Sequence, residues 1–253
     1  MRFTMDAACG CHIGRVRRNN EDNFLFDGKC LEEENCGLKN VINFKAPVKN
    51  GIMMAVLDGM GGEDFGEAAS YAAARELQQS RRKLSDHFVS KRSFLLRLTE
   101  RVNQAVVRTR QMRNTERMGS TLVSVYISSR RVYVCNVGDS RAYRLRDGIL
   151  MQLSRDHVET IPGMTRKKAP LTQHLGIDPA YLQIEPYIAE GDLRKGDIYL
   201  LCSDGLTDML TDPQISGVIR ASQDARTCVY DLIQAALERG GVDNITAIIC
   251  RIF

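Results

Sequence analysis

The middle of the chain is a series of short apolar runs separated by very short links, and this pattern restricts the possible folds. Runs rich in Val, Ile, Tyr and Leu predict four successive strands, at residues 121–128, 131–137, 140–146 and 149–153. The links at 128–130 and 146–148 are typical of hairpin connections. An antiparallel meander is therefore predicted for this part of the chain.

Other periodic segments complete the prediction of secondary structure. Further strand-like runs lie at residues 3–11, 23–26, 52–57, 183–188, 197–202 and 245–252. Helical periodicity is found at residues 66–80, 93–112, 213–221 and 224–239. Residues 28–50 and 158–172 show neither pattern and are predicted to be loops. Because the order lacks the regular alternation of a parallel sheet, the predicted class is α+β, with helices packed on antiparallel sheets.

The composition argues against some classes of protein. A chain of 253 residues with 43% hydrophobic and 26% charged residues can bury a substantial core, as one large domain or two small ones. Its net charge of +4 is far below the basic balance of a protein that binds mainly nucleic acid. No apolar run approaches the ~20 residues of a membrane span, and the N-terminus lacks the order of a signal peptide. We therefore expect a cytoplasmic protein with no nucleic-acid or membrane partner.

The eight cysteines are predicted to be reduced thiols. Three of them lie inside apolar runs where a thiol behaves as a small core residue: Cys135, Cys202 and Cys250. Four others lie near His12 or near the first strands and leave a zinc site open: Cys9, Cys11, Cys30 and Cys36. Their gaps of one and five residues do not match the usual spacing of zinc ligands, so ordinary buried or surface cysteines are favoured.

Four acids follow or precede apolar strands beside Gly or Asn: Asp58, Asp139, Asp204 and Asp243. Any one of them alone is more often a turn former or a helix cap. Carboxylates crowded at one edge of packed sheets, however, stay ionised only beside positive charge. Divalent cations supply that charge, and oxygen ligands favour Mg²⁺ or Mn²⁺ over zinc or copper. Gly59, after Asp58, has no Cβ to shield its carbonyl from a cation.

A basic stretch near the N-terminus, residues 14–23, adds an arginine and another acid to this group. Arg17 lies four residues ahead of Glu21. An arginine beside a carboxylate-held metal pair can bind a phosphate through two parallel donors, which lysine does not offer. A solvated basic loop remains the alternative for Arg15 and Arg18.

Together these motifs resemble those of the metal-dependent type 2C protein phosphatases, in particular the compact bacterial branch. The resemblance rests on Arg17-x-x-Asn-Glu21-Asp22, Asp58-Gly-Met-Gly-Gly62 with Gly66-Glu67-x-Ala-Ser70, Gly119-Ser-Thr121, Gly138-Asp-Ser-Arg141, Asp156-His157, Leu171-Thr172 with Leu175-Gly176, Ser203-Asp-Gly205 and Asp243-Asn-Ile-Thr246. Each motif alone is weak evidence, but eight in the family's order, from residue 14 to 246, are specific.

The resemblance implies a fold and a set of site residues. The fold would be an αββα four-layer sandwich, with two central antiparallel sheets flanked by helices, as one domain over residues 1–253. The implied metal ligands are Glu21, Asp58, Gly59, Asp139, Asp204 and Asp243. Asp58 would bridge two ions and Asp139 would help to bind a weaker third ion. Arg17 would bind the phosphate, and Asp22 would orient a water.

The function implied is hydrolysis of phosphoserine and phosphothreonine monoesters on proteins by a metal-activated water at a binuclear Mn²⁺ or Mg²⁺ site. The partners would be phosphorylated proteins, and we expect a monomer. One alternative is a phosphatase-like regulatory or binding module with little turnover, which would not require the complete set of ligands and Arg17. A second is a hydrolase of small phosphate esters.

The sequence differs from parts of the family at two places. Met60 stands where eukaryotic relatives carry the histidine proposed to protonate the leaving oxygen, and the bacterial branch also has Met there. A thioether cannot supply this proton, so a metal-bound water is the expected donor. His157 is a possible contributor, although a structural role is more common for a single histidine. The segment 158–170 is shorter than in bacterial relatives, and its basic run 166–168 is either a docking element or a solvated loop.

Overall fold

The computed structural model describes residues 3–48, 51–60, 65–80, 90–128, 130–160 and 169–253. The strands in these ranges are β1 (Thr4–His12), β2 (Asp22–Leu25), β3 (Ile42–Pro47), β4 (Ile52–Met60), β5 (Gly119–Ser120), β6 (Leu122–Ile127), β7 (Arg131–Val137), β8 (Arg141–Arg146), β9 (Ile149–Gln152), β10 (Tyr187–Asp192), β11 (Ile198–Cys202) and β12 (Ile245–Ile252). The helices are α1 (Gly66–Ser80), α2 (Lys91–Met112), α3 (Asp204–Thr207), α4 (Asp212–Ala221) and α5 (Ala225–Glu238).

The strands form two antiparallel sheets. The first sheet, sheet A, has the order β3-β1-β12-β11-β8-β9. The second, sheet B, has the order β10-β7-β6-β4-β2, with β5 paired to β4. The predicted hairpins are present: Ser128 N donates to Arg131 O at 2.8 Å, and Arg146 pairs with Ile149. The two hairpins are therefore confirmed, but the continuous meander is not, because β6 and β7 belong to sheet B whereas β8 and β9 belong to sheet A.

Three apolar layers fix the packing of these elements. Alternate residues of β4 point to opposite faces, so Met54 and Val56 join the core between the sheets, while Ala55 and Leu57 join the core under α1 and α2. A third core lies between sheet A and the helices α4 and α5. The order helix, sheet, sheet, helix confirms the predicted αββα sandwich.

The helices begin where the sequence provides caps. Ser90 accepts from the Ser93 N–H ahead of α2, and Asp224 accepts from the Thr227 N–H ahead of α5. Thr211 and Gln214 form a capping box at α4. The predicted helices 93–112, 213–221 and 224–239 differ from the observed ones by only one or two residues at an end.

Some predictions of secondary structure were wrong. The predicted loop 28–50 contains β3, where Ile42 and Phe44 alternate with polar residues along the edge of sheet A. The strand predicted at 183–188 instead begins at Tyr187, because Pro186 offers no N–H to a neighbouring strand. The short elements α3 and β5 were not predicted. The run 166–168 and Gly61-Gly62 lie outside the described residues.

Within the described ranges, none of the helices is both long enough and apolar enough to cross a membrane.

Candidate active site

The acids that the sequence placed at strand ends meet where the two sheets end together. Asp58 lies near the end of β4, and Asp22 is its register partner on β2. Asp139 follows β7 of the same sheet. From sheet A, Asp204 begins α3 directly after β11, and Asp243 lies two residues before β12. The fold therefore brings acids from both sheets to one end of the sandwich.

Electrostatic interactions show that these acids form one cluster. Burial raises the pKa of Asp58 well above its ordinary value. Four neighbouring carboxylates raise it further, namely Asp204, Asp22, Asp139 and Asp243. Without compensating positive charge, Asp58 therefore holds its proton to a higher pH than an ordinary aspartate does.

Asp204 interacts directly with Asp58. Burial, together with the charges of Asp139 and Asp243, raises the pKa of Asp204 to about 7. A hydrogen bond with Asp58 acts in the opposite direction and lowers that pKa. The two carboxyl groups are thus close enough to share a proton.

Arg17 is the cation of the cluster. Its Nη2 donates to Asp243 Oδ2 at 2.7 Å, and this hydrogen bond raises the pKa of the guanidinium. The charges of Glu21 and Asp58 also raise it. The side chains of Arg17 and Asp243 are 46% and 32% exposed, so a solute can reach this pair.

Glu21 lies beside this pair. Burial raises its pKa and the charge of Arg17 lowers it, with a net rise. Its carbonyl accepts from the Gly59 N–H at 3.1 Å. A Cβ at Gly66 would lie 2.7 Å from the Glu21 carboxyl carbon, and a Cβ at Gly59 only 2.1 Å from Gly66 O. Glycine is therefore required at position 59 for the backbone to approach so closely, whereas a Cβ at position 66 would displace the Glu21 carboxylate.

Asp22 lies beneath the cluster and is only 1% exposed. Its Oδ2 accepts from Ser203 Oγ and from Thr246 Oγ1, both at 2.7 Å. Its Oδ1 has no hydrogen-bond partner among the described residues. Burial raises the pKa of Asp22 to about 7 although the two hydroxyls lower it. An orphaned buried oxygen of this kind calls for a further donor or cation.

Two hydroxyls, to which the sequence analysis assigned no role, connect the strand of Asp58 with the loop of Asp139. The Asp58 N–H donates to Thr121 Oγ1 at 3.0 Å, and Thr121 N donates to Asp58 O at 2.8 Å. Thr121 Oγ1 and Ser140 Oγ are 2.7 Å apart. Both residues belong to motifs visible in the sequence, but only the structure shows what their hydroxyls contact.

The chemistry of these groups fits a hard divalent cation. The cluster offers carboxylate and backbone oxygens, which suit Mg²⁺ or Mn²⁺, and Asp22 has an unsatisfied oxygen. In the described part of the chain, no three or more His, Cys, Asp or Glu side chains are already arranged to hold an ion. Asp243 instead binds Arg17, and Asp58 interacts with Asp204.

The zinc alternative finds no such support. Cys9 and Cys11 are buried, and Cys36 is exposed. Burial raises the pKa of Cys11 to about 12, and its sulfur accepts from Thr246 and Asn20 at 3.2 Å. These contacts place Cys11 in the packed interior as an ordinary buried cysteine, the interpretation that the sequence favoured.

Met60 and His157, the two residues considered for the leaving-group proton, occupy different places, and the thioether of Met60 has no proton to donate. Met60 pairs with Gly119 across β4 and β5, beside the site. His157 accepts from the Gly138 N–H through Nδ1 at 3.1 Å, which fixes the loop that carries Asp139. Burial lowers the pKa of His157, so the ring is neutral at pH 7. This geometry favours the structural role for His157.

Comparison with known proteins identifies the family. The family model described as "Protein phosphatase 2C" matches residues 42–240, which is most of the chain. The chain belongs to the protein phosphatase 2C family. Protein phosphatase 2C enzymes are serine/threonine protein phosphatases that depend on Mn²⁺ or Mg²⁺, and the resemblance found in the motifs is thereby confirmed.

Relatives in this family include bacterial phosphatases. The chain is 31% identical over 217 residues to "Serine/threonine protein phosphatase PstP" of Mycobacterium tuberculosis, an alignment that covers 78% of this chain but only 40% of that longer relative. It is 27% identical over 251 residues to "Serine/threonine phosphatase stp" of Listeria innocua, covering 93% and 91% of the two chains.

A solved structure of a protein phosphatase 2C relative shares the fold over nearly its whole length. The catalytic domain of serine/threonine protein phosphatase PstP, crystallised in complex with two manganese ions, superposes with a TM-score of 0.75 at 27% identity. The superposition covers 99% of each chain.

Proposed function

We propose that this chain hydrolyses phosphoserine and phosphothreonine monoesters on proteins at a binuclear Mn²⁺ or Mg²⁺ site formed by the acid cluster. The observation that carries the proposal is the convergence of Asp58, Asp204 and Asp243 from both sheets beside Arg17. Family membership and the manganese-containing relative support the same conclusion.

The residues that would hold the metals are Glu21, Asp58, Gly59, Asp204 and Asp243, with Asp139 near a further ion. When bound, such ions supply an activated water and positive charge against the phosphoryl oxygens. Burial and mutual repulsion raise the pKa of Asp58 and of Asp204. Bound cations would lower both pKa values and favour the ionised carboxylates.

Arg17 would bind the phosphoryl group of the substrate. Its guanidinium already binds one carboxylate oxygen of Asp243, and its side chain is half exposed. A phosphate dianion offers the same geometry with more charge, so exchange of one acceptor for the other is favourable. Because Arg17 lies on a loop tied to the cluster, it would hold the phosphorus in a fixed position relative to the acids.

Asp22 would act from behind the acids. Its Oδ2 is held by Ser203 and Thr246, which leaves Oδ1 without a hydrogen-bond partner from the part of the chain that the structure describes. We assign to Asp22 the orientation of a water at the site. No cysteine is needed as a nucleophile, and the buried thiols agree with that.

The test is a phosphate-release assay on a phosphothreonine peptide with Mn²⁺, with and without EDTA. We expect turnover only with metal, and a loss of more than about 100-fold in kcat for Asp58→Asn, since each lost ligand removes transition-state stabilisation. Arg17→Ala should mainly raise KM. Metabolite phosphates should be poorer substrates than the peptide.

Asp192→Asn provides the matched control. Asp192 lies on β10, an edge strand of sheet B, and its side chain is 66% exposed. It forms an ion pair with Arg131 on the neighbouring strand β7. The Asp192→Asn variant should keep the activity of the unsubstituted protein. Full activity in Asp58→Asn, or turnover in excess EDTA, would exclude the proposed metal site, and preference for metabolites over the peptide would exclude the proposed substrate class.

A further inference from the structure

The side chain of Asn244 bonds to three separate segments around the site. It is only 4% exposed. Its Oδ1 accepts from the Glu21 N–H at 2.8 Å. Its Nδ2 donates to Ile13 O at 2.8 Å and to Asn19 O at 3.0 Å. Three of its four possible hydrogen bonds are thus made to backbone groups more than 200 residues away in sequence.

Two of these bonds close a loop. Ile13 and Asn19 flank residues 14–18, and we name residues 14–19 the arginine loop because Arg17 lies within it. The Asn244 amide therefore joins the two ends of this loop through a single group. A loop of this length without such a link has many conformations, and each of them places the guanidinium differently.

The backbone of Asn244 binds the residue that faces Arg17. Its own N–H donates to Asp243 Oδ1 at 2.8 Å, while Asp243 Oδ2 accepts from Arg17 at 2.7 Å. Asn244 thus fixes the rotamer of Asp243 as well as the loop of its partner. The acid and the cation are positioned by the same residue.

Other contacts also hold parts of the arginine loop. Gly14 has φ +87, and a Cβ there would lie 2.3 Å from Asp243 O. Arg15 N donates to Gly241 O at 2.7 Å, and His12 Nδ1 accepts from the Gly14 N–H at 2.9 Å. These bonds hold the first half of the loop. In the second half, apart from the Asn244 bond, Asn19 Nδ2 donates to Glu67 on α1.

We propose that Asn244 is a positioning residue that holds the arginine loop so that Arg17 meets the phosphoryl group of the substrate. The inference rests on the proposed function in one respect only, namely that Arg17 binds phosphate. Asn244 touches neither the phosphate nor the reacting water, and acts through Arg17 and Glu21.

The first measurement is steady-state kinetics on a phosphothreonine peptide with Mn²⁺. Asn244→Ala is expected to raise KM about tenfold while kcat falls less than about threefold, as expected for a loss of binding without a loss of chemistry. Asn244→Asp keeps an acceptor for the Glu21 N–H but loses both donors to the loop. It should raise KM to a similar extent, and it serves if the alanine variant does not fold.

Asn103→Ala is the matched control. Asn103 is also buried, and its amide bonds to a loop at Ile177 O and the Gly176 N–H, at 2.8 and 2.7 Å. Its removal costs stability in the same way, but it does not contact the arginine loop. An equal rise in KM for Asn103→Ala and Asn244→Ala would show that the effect is a general consequence of destabilisation.

A double-mutant cycle separates positioning from mere structural support. In the Arg17→Ala background, Asn244→Ala should raise KM by less than about twofold, because the group that it positions is already absent. The same tenfold rise in both backgrounds, or no rise in the parent, would overturn the proposal.

Hydrogen exchange on the metal-free protein provides a readout that does not depend on turnover. The amides of residues 14–19 should exchange faster in Asn244→Ala than in the parent, and at unchanged rates in Asn103→Ala. If the parent protein fails to hydrolyse the peptide, the proposed function is wrong. The exchange data then still decide whether Asn244 orders the loop, and unchanged exchange would refute that.

Discussion

Asp204→Asn should make the metal-free protein more stable while abolishing its activity. In the folded chain, burial and the neighbouring acids raise the pKa of Asp204 from 3.8 to about 7. At pH 8 this carboxylate is ionised although its surroundings favour the neutral form. This lowers the stability of the folded protein by about 4 kcal/mol, since one pKa unit corresponds to about 1.4 kcal/mol. Asparagine keeps the shape and carries no charge. We expect a gain of about 2–4 kcal/mol, because the amide recovers part of the full cost.

The sign of the pH dependence follows from the raised pKa. The cost of ionising Asp204 is absent below about pH 3, where the group is protonated in both the folded and the unfolded state, and nearly complete above pH 7. The stability gap between Asp204→Asn and the parent should therefore be largest at pH 8. It should narrow by more than about half at pH 5.

The assay is thermal unfolding in EDTA at both pH values. A gain of this size corresponds to a rise of about 5–10 °C in the midpoint for a chain of this length. Added Mn²⁺ should stabilise the parent more than the variant, since the ions would neutralise the charge that the variant lacks.

Asp197→Asn is the matched control, for which we expect a loss of stability where Asp204→Asn should give a gain. Burial alone would raise the pKa of Asp197, but two hydrogen bonds from Arg146, at 2.6 and 2.7 Å, and others from Arg194 N and Tyr199 lower it. Its loss should cost about 3 kcal/mol at pH 8, because a partly buried Arg146 loses its partner. The reasoning would be refuted by a lower unfolding midpoint for Asp204→Asn than for the parent in EDTA at pH 8. It would also be refuted by a stability difference between the two that is the same at pH 5 and pH 8.

Three further substitutions test the packing around the site. Gly14→Ala should cost about 1–3 kcal/mol and raise KM, because φ +87 and the nearby Asp243 carbonyl exclude a Cβ; normal KM would contradict this. Leu77 lies on the buried face of α1, and Leu77→Ala should cost about 2–5 kcal/mol in urea unfolding with kcat unchanged. Thr121→Val should lower stability by about 1–3 kcal/mol, because the Asp58 N–H loses its acceptor. Thr121→Ser keeps the hydroxyl and should restore stability.

The strands of the central core could be predicted from sequence because their apolar runs are continuous. Those at 131–137 and 245–252 match the observed strands in full. At the edges of the sheets the signal is weaker, since only one side of the strand is paired. In β3, Ile42 and Phe44 do alternate with polar residues, but Pro47 and the polar residues before Ile42 made the segment look like a loop.

The types of residue in the candidate site could be predicted from the sequence, but the hydrogen bonds that hold them could not. The position of Asp58 or Asp204 at a strand end is visible in the sequence, and the fold indeed brings them together. The metal-binding roles of these acids stay predictions. The bond of Asn244 to Ile13 joins residues 231 positions apart, and no local pattern indicates it. The one available signal was the position of Asn244 directly after Asp243 in a recognised motif.

The division of the acids between the two sheets has a mechanical consequence. Asp58 and Asp139 move with sheet B, whereas Asp204 and Asp243 move with sheet A. A small translation of one layer past the other would alter every spacing across the cluster without breaking a single strand pairing. The thickness and alignment of the sandwich, set by residues such as Val56 and Ile248 between the layers, thus help to determine the dimensions of the candidate site.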